Sequence, residues 1–138
     1  MTAFSGSYSG RAQSQSILNV PDVAGHMLDL FLLQSVHKST DPQWDGATAL
    51  YCGTTDLTGG QGRQTGYFVN TRSHSDQDHG TFEGKVSQSG DKVIVDGTWK
   101  HTGGKGKFAR IAGNGTFRTT VSASGDGEVV WEGNYTIG

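Results

Sequence analysis

Apolar and polar side chains alternate with period two through most of this chain, and no ten-to-fifteen-residue stretch carries a helical period. The C-terminal half shows it best. Val93, Val95, Gly97 and Trp99 share one face, opposite Lys92, Asp96, Thr98 and Lys100. Gly115, Phe117, Thr119 and Val121 then oppose Thr116, Arg118 and Thr120. Last, Val129, Trp131, Gly133, Tyr135 and Ile137 oppose Glu128, Glu132 and Asn134. Ser89-Gly90-Asp91 and Ser124-Gly125-Asp126-Gly127 are turn chemistry, because Gly and Asp accept the positive φ of tight hairpins. In the first half, strands are predicted near 6–18, 26–38, 46–57, 62–74 and 79–88, joined at 22–25, 41–46, 58–60 and 75–78. His26 to His37 is apolar on both faces, which predicts that its outer face meets another subunit. About eight short strands joined by hairpins predict an all-β fold. An antiparallel up-and-down barrel is favoured over a sandwich, because closure removes edge strands and glycines beside large aromatics suit a tapered interior.

Composition narrows the function classes. The 138 residues suit one domain spanning 1–138. Eleven basic residues against thirteen acidic ones argue against a nucleic-acid partner, which would call for a basic excess. The longest apolar run, Leu30 to Leu33, is far too short for a membrane-spanning helix, and residues 1–20 contain no apolar signal core. A cytoplasmic protein without membrane association is expected. Cys52 is the single cysteine, so a disulfide scaffold is excluded and structural zinc is disfavoured. Glycine is abundant, at 22 against two prolines, and is expected at turns and at close backbone approaches.

The most specific stretch is Thr102-Gly103-Gly104-Lys105-Gly106-Lys107-Phe108, with Gly113 five residues on. It lacks the Gly-Lys-Ser/Thr ending and the helix of a phosphate-binding loop, so it reads as a structural corner. Phe108 is expected to plug one end of the barrel, and Ala109 to Ile111 to form a short helical turn. This pattern resembles the allene oxide cyclase and dirigent barrels, and bacterial proteins grouped with them. Asp78-His79-Gly80-Thr81-Phe82-Glu83-Gly84 and Thr48-Ala49-Leu50-Tyr51-Cys52 resemble further patches of the cyclases, and the likeness is best over 46–137. The resemblance implies an eight-stranded barrel and a lumen that binds a small, mostly apolar metabolite. It further implies isomerase or cyclase chemistry achieved chiefly by conformational steering, with no cofactor. It places Cys52 in the lumen and sets Gln34 at the position of the cyclases' pocket carboxylate. An amide there lacks the carboxylate's charge, which puts the plant reaction in doubt.

Cys52, Gln34 and Asn70 are accordingly the candidate catalytic residues. The expected lumen walls are Gln34, Cys52, Phe68, Asn70, Phe82, Trp99, Phe117 and Trp131. The aromatics, with Trp44 and Tyr135, suit a ligand pocket and a filled core equally. Asn70 and Arg72 share the face of Phe68. If that face is inward, Arg72 needs an internal ion pair or an acidic ligand; if Tyr67 and Val69 face inward, Arg72 is a solvated charge. The segment His74-Ser75-Asp76-Gln77-Asp78-His79 is rich in ligand types, but its histidines lie five apart and it reads as a polar hairpin loop, with no metal expected. No hydrolase elbow is present. Two readings follow. One is a lumen isomerase, cyclase or carrier; the other is a non-catalytic, lipocalin-like or oligomeric module. A dimer or trimer is expected in either case.

Overall fold

Hairpin chemistry and alternating burial set the architecture. The computed structural model describes residues 1–72 and 75–138. Its strands are β1 (Thr2–Gly10), β2 (Ser14–Asn19), β3 (His26–Val36), β4 (Lys38–Ser39), β5 (Thr48–Thr58), β6 (Gln61–Thr71), β7 (Gln77–Ser89), β8 (Lys92–Lys105), β9 (Ala112–Val121) and β10 (Gly127–Thr136). All join one sheet in the order β2-β3-β5-β6-β7-β8-β9-β10-β1-β4, and every pairing is antiparallel. The sheet curls into a half-barrel around an aromatic core. Among the described residues no helix is long and apolar enough to cross a membrane.

Among the described residues ten strands stand where eight were expected, because two predicted strands divide. The predicted strand 6–18 divides at 11–13, where the chain leaves β1, paired with β10, and enters β2, paired with β3 at the opposite end of the strand order. The predicted strand 26–38 breaks at His37, whose amide donates to the Ala47 carbonyl. Beyond it the chain changes partner from β5 to β1, with Ser39 opposite Gly6. The Ser35 hydroxyl donates to the Ser9 carbonyl at 2.6 Å, so the sheet curls far enough to bring β1 beside the end of β3.

Two-residue turns behave as their sequences require. Gly59 and Gly60 both adopt positive φ, 62° and 79°, the primed geometry that matches the twist of β5 and β6. The glycine-rich corner holds a 3-10 turn at Gly106–Phe108 rather than at 109–111, since the amides of Ala109 and Ile111 close back on Gly106 and Phe108. Asp76 accepts from the Lys107 amide, and Phe108 is fully buried against Trp44.

The interior is built from cross-strand pairs of one glycine and one aromatic. Phe31 lies opposite Gly53, Phe68 opposite Gly80, Phe82 opposite Gly66, Phe117 opposite Gly97, Trp99 opposite Gly115 and Trp131 opposite Gly6. Each glycine leaves the space into which the facing ring folds. A Cβ at Gly97 would press on the Glu83 carbonyl and stand 2.5 Å from the Phe117 ring. Gly97→Ala is therefore expected to lower stability by about 1–3 kcal/mol. Gly10→Ala, whose Cβ would meet nothing closer than 3.9 Å, is expected to be neutral, and urea titration of the two variants checks both.

Candidate functional site

Curling leaves a cavity of about 540 Å³ on the concave side of the sheet. That lies within the roughly 300–1,000 Å³ range of small-molecule sites. Its walls are the paired aromatics, and its mouth is edged by Arg11, Gln15 and Asp29. Its floor is polar, with His37, Asn70 and His101 above the buried Trp44.

Asp78 organises that floor. It has no solvent exposure, and both carboxylate oxygens are occupied. Oδ2 accepts from Asn70 Nδ2 at 2.9 Å, from His101 Nε2 at 2.9 Å and from Trp44 Nε1 at 3.4 Å. Oδ1 accepts from the Arg72 guanidinium. Burial alone would push the carboxyl up. The hydrogen bond from His101 and the charge of Arg72 outweigh it and hold Asp78 below the usual carboxylate range. Arg72 also donates to the Gln43 carbonyl at 2.7 Å and lies over the rings of Phe108 and Trp44, at 4.1 and 4.7 Å from their centroids. A charged pair this deep survives because both carboxylate oxygens are paired, although Arg72 Nη2 and His101 Nδ1 find no partner among the described residues.

The network continues upward in a fixed direction. Asn70 spends its amide protons on Asp78, so its carbonyl oxygen faces His37 Nε2 at 2.7 Å. Nε2 must then carry the proton, and Nδ1 accepts from Trp131 Nε1 at 3.2 Å. Burial holds His37 below the ordinary imidazole range, which keeps it neutral. The native state therefore resists a proton that the unfolded chain accepts, and stability falls as pH drops below about 6.5. His37→Gln, which keeps a donor and an acceptor but cannot titrate, is expected to lose this part of the slope between pH 7 and pH 5. Urea midpoints of both proteins across that range are the check.

The predicted wall residues divide into two groups. Phe68, Asn70, Phe82, Trp99, Phe117 and Trp131 line the cavity. Cys52 and Gln34 do not: both are exposed, on the convex face of β5 and β3. The parity of β3 sends Phe31 and Leu33 inward and Gln34 outward, and on β5 the cavity residue is Tyr51. The lumen position assigned to Cys52 and the carboxylate position assigned to Gln34 are thus overturned by one-residue parity. Arg72 belongs to the inward parity of β6, with Tyr67 68% exposed on the other side, and its partner is internal. His74 lies outside the described residues, while His79 Nδ1 lies 2.9 Å from the Thr102 hydroxyl.

Sequence reasoning missed Asp78, His101, His37, Tyr8 and Tyr51 as site residues. For the first two a signal existed: Asp78 continues the Gly80–Phe82 parity, and His101 continues that of Val95, Gly97 and Trp99. Chemically, the floor is a polar network organised by Asp78 beneath an apolar chamber, in which His101 Nδ1, Trp99 Nε1 and Arg72 Nη2 are buried without a partner among the described residues. Comparison of the chain with family models, with curated proteins and with solved structures finds no match.

Proposed function

We propose that the protein binds a small, mostly apolar metabolite in this cavity and acts on it as an isomerase or cyclase, chiefly by conformational steering. The observation that carries this reading is the aromatic chamber itself: its walls are mostly rings, so shape does most to choose the bound conformer. Holding a flexible ligand in one near-reactive shape, away from water, accelerates cyclisation without a dedicated acid or base. We further take the curled sheet to be an eight-stranded up-and-down barrel of the allene oxide cyclase type. In that reading β3 and β4 form one strand interrupted at His37, and β2 is an outer addition. The contacts of β1 with β4 and β3 and the corner at Gly103–Phe108 support it.

Incubation with polyene and epoxide substrates, followed by chiral chromatography, separates enzyme from carrier. Enantiomeric excess in the product is expected. A racemic product alongside saturable quenching of tryptophan fluorescence would leave a lipocalin-like carrier instead.

A second reading concerns assembly. Leu18, Leu28 and Leu30 form one convex patch across β2 and β3, and Leu18 and Leu30 are 63% and 59% exposed. Leu32 and Leu50 extend it, and a second copy of the chain would cover it. Light scattering at micromolar concentration is expected to give a dimer or trimer; a monomer would remove this reading.

A further inference from the structure

Two tyrosines in the cavity take no part in the floor network. Tyr8 projects from β1 and Tyr51 from β5, and both line the chamber. Their rings stack with centroids 4.6 Å apart and planes 16° from parallel. Around them lie Phe68 and Phe82, with centroids 6.3 and 6.0 Å from that of Tyr51, and the edge of His37, 5.4 Å from Tyr8. The two hydroxyls are neighbours, and among the described residues neither makes a well-formed hydrogen bond to another group. Both nitrogens of His37 are already engaged, so that ring cannot serve them.

A phenol is one donor and an acceptor. Two neighbouring phenols with no acceptor in the wall leave at least one O–H proton free to meet whatever occupies the chamber. Such a proton favours any occupant that brings an acceptor oxygen to it. Burial pushes both hydroxyls well above the ordinary phenol range, so they remain protonated donors at every physiological pH. They cannot act as phenolate bases. Among the described residues, the two arginines nearest the chamber are both engaged, Arg72 with Asp78 beneath the floor and Arg11, at the mouth, with Asp126.

We propose that Tyr8 and Tyr51 together form an acceptor clamp that binds the carbonyl or enolate oxygen of a neutral, largely apolar carbonyl compound. This rests on the cavity-binding reading above and narrows its ligand class to ketones, enones and esters. A hydrogen-bond donor that meets such an oxygen binds it more strongly as negative charge develops there, so the clamp also favours an enolate over the carbonyl it came from.

The test uses the full chain, calorimetric titration and two probes of one shape: 2-acetylnaphthalene, which carries the acceptor, and 2-ethylnaphthalene, which lacks it. The ketone is expected to bind about tenfold tighter than the hydrocarbon. Tyr8→Phe and Tyr51→Phe each keep the stacked ring, and each is expected to remove most of that preference, read as the ratio of the two affinities in the same variant. A third probe reports charge: bound 2-naphthol is expected to ionise at lower pH in the native protein than in the double Phe variant, followed by its absorbance. Equal affinity for the two naphthalenes, or a ketone preference untouched by both Phe variants, overturns the clamp while the cavity reading stands. Failure of both naphthalenes to bind overturns the cavity reading and the clamp with it.

Discussion

Replacement of Asp78 by alanine is expected to destabilise the protein by about 3–5 kcal/mol, because it strands a buried cation. Arg72 would keep its bond to the Gln43 carbonyl and its places over Phe108 and Trp44, but no described anion would face it. His101, Asn70 and Trp44 would each lose an acceptor at the same point. Since domains of this kind are stable by only about 5–15 kcal/mol, the variant should sit near the limit of folding, with a urea midpoint far below that of the native protein. Asp78→Asn separates charge from shape. It keeps the volume and one acceptor oxygen, so it should recover part of the loss but not the pairing with Arg72. The pH dependence gives an independent check. The carboxyl is held below its ordinary range in the folded state, so the unfolded chain takes up its proton first as pH falls. The stabilisation is fully present above about pH 4 and is lost as the pH falls through the folded value. In Asp78→Ala this acid slope should flatten. A variant as stable as the native chain, with the acid slope intact, would show that the carboxylate does not hold the floor together.

The second large effect is expected at Phe4. Its ring is 5% exposed and touches four aromatics: Trp44 at 4.6 Å between centroids, Tyr135 at 4.7 Å, Trp131 at 4.9 Å and Trp99 at 5.6 Å. Three of these contacts are edge-on, the arrangement that aromatic quadrupoles favour. Phe4→Ala is expected to cost about 3–5 kcal/mol through lost burial and an unfilled cavity beneath the floor. Phe4→Leu should cost less, because it refills most of the volume. Thermal and urea unfolding of the two variants together are the check, and equal, small losses would mean that the cluster collapses around the gap. The consequence reaches the site. Trp131 hydrogen-bonds His37, and Trp44 hydrogen-bonds Asp78, so loosening Phe4 loosens two of the rings that hold the polar floor.

Residue order alone was enough for the all-β antiparallel class and for the inward faces of β8, β9 and β10. There the alternation is clean, and a strand with one buried face has only one workable parity. The same period, carried two residues further, would have brought His101 and Asp78 inward. Their polarity hid them, since a charged residue at the end of an apolar face normally marks the solvent. Period two also determined that either Phe68 or Tyr67 faces inward, but not which. That choice fell to β5 and β7 on either side, where Phe68 fits opposite Gly80 and Tyr67 is left exposed. Tertiary structure likewise decided against Cys52 and Gln34. β3 is apolar on both faces, and Leu50, Tyr51 and Cys52 form an unbroken run, so local sequence does not say which side is in. Only the register of β3 with β5 and the curl of the sheet do. The division at His37, the entry of Trp44 beneath the floor and the stacking of Tyr8 on Tyr51 belong to the same class. Each depends on strands far apart in sequence meeting across the concave face, and a pattern read along one strand carries no information about its neighbour's register.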